Sequence, residues 1–190
     1  MGANHLHIRL ETADPLGHEA AELLRQMRAE ALSRYGDVLD ASAPVANEPP
    51  AARSAFLIAR LEGRPVGCAA LRPIDAEAAE VRRMYVMPPV RRRGIARLLL
   101  AELEAKAARF GFTTLRLETG NRQPEAMALY ESSGFRQIPP YGTCVQDPLS
   151  ICFEKAVVGA PNRAARARKV GSGLSGRVIR ADVVPRADSV

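Results

Sequence analysis

Between an alternating apolar segment and a long amphipathic one, the chain runs Val90-Arg91-Arg92-Arg93-Gly94-Ile95-Ala96. These residue types at this spacing suit the capture of an anion. Small residues at Gly94 and Ala96 let the backbone approach a ligand closely, and the first turn of the following helix presents N–H groups that have no partner inside the helix. The positive end of the helix dipole and the arginines add charge, so a phosphate group is the natural guest. The turn has neither the Gly-Lys-Ser/Thr of a nucleoside triphosphate loop nor the GxGxxG dinucleotide fingerprint. Other reactive side chains give weaker signals. Cys68, Cys144 and Cys152 are widely spaced without a CxxC pair, which argues against a disulfide framework or a zinc site. Cys68 and Cys152 read as buried thiols in apolar strands, whereas Cys144 sits in a loop that can line an entrance. His5, His7 and His18 are scattered near the start, and no metal is expected.

Such a turn needs a scaffold, and the pattern of the chain predicts one. A length of 190 residues with 47% hydrophobic content suits one globular domain with a real core. His5 to Glu11 alternates as a first strand, with Leu6, Ile8 and Leu10 facing inward. Asp14 as N-cap and Pro15 at the first helical position predict a helix reaching Gly36, burying Leu16, Ala20, Leu23, Leu24, Met27 and Ala31. Residues 37–53, rich in Pro and Ala, read as a loop or short helix. Ala55 to Leu61 and Pro65 to Leu71 are apolar strands joined through Glu62-Gly63-Arg64, a hairpin signal. A strand from Ala78 to Val86 precedes the arginine turn. Ile95, Leu98, Leu99, Leu103, Ala107 and Phe110 then form the buried stripe of a helix ended by Gly111. Thr113 to Glu118 is a strand whose Leu115 and Leu117 alternate with charged neighbours. Pro124 to Ser133 is a short helix, Phe135 to Ile138 a short strand, and Ser150 to Val157 the last strand. That order is an α/β domain on a mixed sheet.

The formal charge of +6, with a pI near 9.7, would point to nucleic acid if it were spread over the fold. It is not. From Gly159 to Val190 the chain carries Arg163, Arg166, Arg168, Lys169, Arg177, Arg180 and Arg186 against Asp182 and Asp188, a net +5 of that +6. The body is therefore nearly neutral, and nucleic acid is not expected as a partner. Low hydrophobicity and the run GSGLSG predict that the tail has no packed structure of its own. No apolar run near the start ends in a cleavage site, and no segment offers the roughly 18 uninterrupted apolar residues of a membrane span. A cytoplasmic protein with no membrane partner is the expectation.

Three segments together resemble the GNAT superfamily of acyl-CoA-dependent N-acyltransferases. Arg91-x-x-Gly94-x-Ala96 is similar to its Gln/Arg-x-x-Gly-x-Gly/Ala phosphate motif, and Val81 to Pro88 to the strand that leads into it. Ala126-x-x-Leu129-Tyr130-x-x-x-Gly134-Phe135 is similar to its A-x-x-L-Y-x-x-x-G-F helix. The resemblance covers roughly Ile8 to Lys155, so residues 1–157 are expected to form the acetyltransferase domain and 158–190 a basic tail. It implies a mixed, mostly antiparallel central sheet of about six to seven strands flanked by helices, splayed where the cofactor lies. Acetyl-CoA is then the acyl donor, lying between the strand of residues 81–87 and that of 113–118. Met84, Tyr85 and Val86 would meet the pantetheine arm through their backbone. Arg91, Arg92, Arg93, Gly94, Ile95 and Ala96 would hold the pyrophosphate, and Asn121 is similar to an asparagine near the cofactor, with turn capping as the alternative.

The resemblance also implies chemistry. Attack on a thioester needs an amine without its proton. Glu80 stands eleven residues before Arg91, where several members carry a glutamate base, although a solvated strand-end glutamate is the alternative. Tyr130 matches the tyrosine that protonates the departing thiolate, with a half-buried structural aromatic as the alternative. The acceptor, a small-molecule or peptide amine, would be shaped by residues 30–54 and 138–149, with Arg53, Glu48, Asp37 and Tyr141 as candidate contacts. A non-catalytic acyl-CoA sensor of the same fold is the competing function, and exposed strand edges make a homodimer plausible.

Overall fold

The computed structural model describes residues 7–42 and 47–158. Leu6 and the tail from residue 159 onward lie outside the described residues. The chain forms β1 (Ile8–Thr12), α1 (His18–Tyr35), β2 (Ala55–Leu61), β3 (Arg64–Pro73), β4 (Ala78–Val86), α2 (Ile95–Arg109), β5 (Thr114–Gly120), α3 (Pro124–Ser132), β6 (Arg136–Ile138) and β7 (Ser150–Ala156). Short 3-10 turns cover Pro88–Val90 and Gly142–Gln146. Glu62 and Gly63, at φ of 49° and 79°, reverse the chain between β2 and β3; the left-handed conformation is what a tight hairpin demands.

The strands make one seven-stranded sheet in the order β1-β2-β3-β4-β5-β7-β6. Every neighbouring pair is antiparallel except β4 and β5, which run parallel. That parallel join is short. It pairs Ala78 with Thr114, Ala79 with Leu115, Glu80 with Arg116 and Val81 with Leu117, and then stops, although β4 continues to Val86 and β5 to Gly120. A bulge lies just beyond the last pair. Cys68 pairs with Tyr85 and Ala70 with Arg82, so the β3–β4 register shifts, and Arg83 sits there at φ 56°. An extra residue in one strand bends it and increases its twist, which turns β4 away from β5.

Alternation along the strands gives the sheet two apolar faces. On one, Leu57, Ala69, Leu71, Ala79, Val81, Leu115, Leu117 and Phe153 pack against Ile95, Leu99, Leu100, Leu103 and Ala107 of α2. On the other, Phe56, Ile58, Cys68, Ala70 and Tyr85 receive Ala20, Leu23 and Leu24 of α1. Two expectations about these helices need correction. Helix α1 starts at His18 with Gly17 as its cap, not at Pro15. Asp14 instead closes a turn: its side chain accepts the Leu16 N–H at 2.9 Å and its carbonyl accepts the Gly17 N–H at 3.1 Å, which leaves Leu16 exposed. In α2, Leu98 points to solvent and Leu100 takes its place in the core.

Candidate active site

The gap between β4 and β5 opens beyond Val81 and Leu117, and side chains reach it from both faces of the sheet. Because Ala79 and Val81 face α2, alternation puts Glu80 and Arg82 on the α1 side. Glu80 is 6% exposed. The Tyr141 hydroxyl donates to its Oε1 at 2.8 Å, and Arg82 Nε stands 3.7 Å from its Oε2. Arg82 also pairs with Glu48, which in turn holds Arg72 at 2.6 Å. Burial, then the charge of Glu80, pushes the Tyr141 phenol far up, so it remains a proton donor to that carboxylate. The Arg116 guanidinium lies 5.5 Å from the centroid of the Tyr141 ring.

On β5, Leu115 and Leu117 face the core, so Glu118 falls on the same side as Glu80. Ser150, at the start of β7, donates to Glu118 Oε1 at 2.8 Å. Burial raises Glu118 above the usual carboxylate range. The negative charges of Asp147 and Glu80 add to this, while the Ser150 hydrogen bond and Arg82 oppose it. Cys152 pairs directly with Glu118 across β5 and β7, and burial pushes its thiol up to about 11. Cys144, expected in an open loop, lies in the Gly142–Gln146 turn and is buried; burial and then Glu118 raise it too. None of these thiols is poised as a nucleophile at neutral pH. Cys68 is buried in β3 and pushed up to about 12.

Tyr130 comes from the opposite side. It sits on α3 with its ring against Phe135 and Phe153, at centroid distances of 6.0 and 5.9 Å. Burial, followed by the charge of Glu118, raises its phenol well above the usual value, which ties it electrostatically to a carboxylate on the other face. Among the described residues its hydroxyl makes no hydrogen bond. A neutral phenol with an uncommitted proton can serve as an acid.

The arginine turn opens α2 at one end of this gap. Gly94 is the helix cap at φ 81° and Arg92 stands at φ 62°, both exposed along with Arg93. Arg91 does something else. Its Nε donates to the Val86 carbonyl at 2.7 Å, and its other two nitrogens grip both oxygens of Glu30 at 3.0 and 2.5 Å, fastening the turn to α1. Ile95 is buried and Ala96 partly so. Met84, Tyr85 and Val86 follow the last β4–β5 pair, so among the described residues no strand pairs with that edge of β4, where the Val86 carbonyl accepts from Arg91. Asn121 is exposed just past β5, its N–H bound to the Leu149 carbonyl.

The sequence model of the Acetyltransferase (GNAT) family matches residues 20–135. The chain belongs to the GNAT acetyltransferase family. It is 44% identical over 102 residues to a protein named IAA acetyltransferase from Azospirillum brasilense, covering 53% of this chain and 66% of that one. It spans between about half and two thirds of the length of such curated relatives. A solved candidate acyl-CoA N-acyltransferase from Klebsiella pneumoniae superposes with a TM-score of 0.67 at 31% identity, over 79% of this chain and 97% of the other. The PaiA N-acetyltransferase of Thermoplasma acidophilum, solved with coenzyme A, shares the fold with a TM-score of 0.62 at 19% identity, over 80% and 99%.

Within this GNAT fold, the predicted residues divide. The structure brings Glu80, Tyr141 and Glu48 together on the α1 side and keeps Tyr130 on the α2 side, against Phe135 and Phe153. It sends Asp37 to an ion pair with Arg122 at 2.6 Å. Arg53 is committed elsewhere, 3.7 Å over the Phe112 ring and bonded to the Phe110 and Ala76 carbonyls, at the end of β5 away from the splay. Sequence reasoning missed Glu118, Ser150 and Asp147. Alternation had marked Glu118 as facing away from the core, but only the β5–β7 register shows what meets it there. Among the described residues no cluster of His, Cys, Asp or Glu is placed to hold a metal, and no helix is long and apolar enough to cross a membrane.

Proposed function

We propose that this chain is an N-acetyltransferase that moves an acetyl group from acetyl-CoA to a primary amine by direct attack. The observation that carries this reading is the gap between β4 and β5, with the Tyr130 phenol on one side and carboxylates on the other. The residues around it fit the donor. The open edge of β4 from Met84 to Val86 suits the amides of the pantetheine arm. The exposed turn of Arg92, Arg93 and Gly94 with the first N–H groups of α2 suits the pyrophosphate, and Asn121 borders the same end. Acetyl-CoA, when bound, supplies the activated thioester.

The chain's own residues handle protons. Tyr130 keeps its hydroxyl proton at neutral pH and can give it to a departing thiolate. On the amine side a carboxylate takes the proton directly or through a water, and Glu80, held in place by Tyr141, is the candidate that the resemblance implies. The acceptor is a small-molecule or peptide amine, and the name of the Azospirillum relative adds IAA to the compounds worth testing.

The test is calorimetric titration with acetyl-CoA followed by release of free thiol on a panel of amines, amino acids and IAA. Binding in the micromolar range with turnover on at least one amine is expected. Absence of binding at millimolar acetyl-CoA sinks the proposal, and tight binding without thiol release on any acceptor favours an acyl-CoA sensor instead.

A further inference from the structure

The amine side of the gap holds two carboxylates, and they are not equivalent. Both oxygens of Glu80 are occupied, one by the Tyr141 hydroxyl at 2.8 Å and the other near Arg82 at 3.7 Å. Both oxygens of Glu80 are thus turned toward partners within the protein rather than toward a ligand in the gap. Glu118 differs in three respects. It is the first β5 residue beyond the final β4 pair, so it stands where the strands separate. One of its oxygens accepts from Ser150, while the other has no partner among the described residues. Tyr130 packs 5.9 Å from Phe153, the cross-strand partner of Leu117 beside Glu118, so phenol and carboxylate flank the same stretch of β5 from opposite faces.

Ser150 adds the decisive geometry. Its Oγ lies 2.8 Å from Glu118 Oε1 and 3.2 Å from Asp147 Oδ2. A serine hydroxyl has one proton, so it can donate to one carboxylate only and accept from the other only when that one is protonated. Ser150 is buried at 7% exposure, whereas Asp147 is exposed. A single hydroxyl thus links an interior carboxylate to one in water.

Building on the acetyl-transfer reading above, we propose that Glu118 takes the proton of the attacking amine and passes it outward through Ser150 to Asp147. As the nitrogen–carbon bond forms and the carbon–sulfur bond breaks, the amine proton moves to Glu118 and the Tyr130 proton goes to sulfur; Tyr130 regains a proton from water once the thiol departs. Protonated Glu118 then donates to Ser150 Oγ, the Ser150 proton moves to Asp147 Oδ2, and Asp147 releases a proton to water. Glu80 becomes a positioning residue that orients Tyr141 and holds negative charge beside Glu118. The groups facing Glu118 are Glu80 and Arg82 from β4, Cys152 from β7, Asp147 and Cys144 from the preceding segment, and Tyr130 from α3. Cys144, Cys152 and Tyr130 stay neutral through the working range, so Asp147, Glu80 and Arg82 set the field.

The test compares Glu118→Gln, Glu80→Gln, Ser150→Ala, Ser150→Thr and Asp147→Asn in the full chain. Glu118→Gln is expected to lower kcat by about 10²-fold or more and to erase the acid limb of the kcat–pH profile, with acetyl-CoA affinity unchanged. Glu80→Gln is expected to lower kcat less and to keep that limb. Ser150→Ala is expected to slow turnover about tenfold and Ser150→Thr to restore it, since only the hydroxyl matters. Retention of the acid limb in Glu118→Gln, or its loss in Glu80→Gln, overturns the proposal. A second measurement needs no turnover: carbon-13 carboxyl NMR on the ligand-free protein. There Glu118 is expected to titrate lower in Asp147→Asn, which removes a neighbouring charge, and higher in Ser150→Ala, which removes its donor. A Glu118 titration that neither variant moves also overturns it. Should wild type bind acetyl-CoA yet acetylate nothing while the NMR shifts appear, the linked carboxylates stand and the transferase reading falls.

Discussion

Tyr130 and Glu118 flank β5 from opposite faces as a phenol and a carboxylate, each raised above its ordinary proton affinity by burial, and the carboxylate's charge raises the phenol further. For Tyr130 the consequence, under the proposed function, is catalytic. Replacing it with Phe keeps the ring against Phe135 and Phe153 and removes only the hydroxyl. We therefore expect Tyr130→Phe to lower kcat roughly 10²-fold with little change in acetyl-CoA affinity, and steady-state kinetics with calorimetry check both halves. For Glu118 the consequence is also thermodynamic. Its folded-state proton affinity exceeds that of the unfolded chain, so the stability it contributes is present at low pH and is lost as the pH rises through its folded value. At neutral pH the ionised carboxylate costs stability. Glu118→Gln is expected to raise Tm at pH 7 to 8, and the gain should shrink as the pH falls toward 4.5, the ordinary value for this group. Scanning calorimetry across pH gives the answer.

Among the elements, α2 holds the sheet and carries the turn. Leu103 is fully buried between it and the strands, so Leu103→Ala is expected to cost about 2–5 kcal/mol in urea unfolding. Helix α1 is held differently, through Arg91 and Glu30 at one point and through Tyr35 at another. The Tyr35 hydroxyl accepts the Arg122 N–H at 2.8 Å, and a Cβ on Gly120 would lie 2.1 Å from that oxygen. Gly120→Ala should therefore displace Tyr35 and cost about 1–3 kcal/mol, measurable by the same unfolding. These contacts also mark what was legible beforehand. The periods of two and 3.6 placed β2, β4, α2 and β5 to within a residue or two, because one buried face imposes them. The start of α1 was misread because Asp14 satisfies a turn as readily as a helix cap. Leu98 was misread because it borders the apolar stripe of α2. Glu80 and Tyr130 could be singled out as candidates because each lies in a local motif. The partners of Glu118 could not, because Ser150 meets it only through pairing of strands about thirty residues apart, which no local pattern encodes.

At the scale of the molecule, the sheet is two antiparallel sheets joined along one parallel edge. Strands β1 to β4 form one part and β5, β7 and β6 the other. Among the described residues four residue pairs connect them strand to strand, between Ala78 and Val81 on one side and Thr114 and Leu117 on the other. Apolar contacts of α2 with Leu115, Leu117 and Phe153 supply the rest of the join. The proposed donor site straddles it, which explains why β4 and β5 end their pairing early: full pairing would close the site. The same short seam makes the protein divisible. A break in the turn at Gly111, between α2 and β5, leaves each antiparallel sheet whole in its own fragment. Two such halves, each carrying one part of a split reporter, should reassemble weakly by themselves and more readily when a ligand bridges the seam, so that the chain reports acyl-CoA concentration by the light or colour its halves restore.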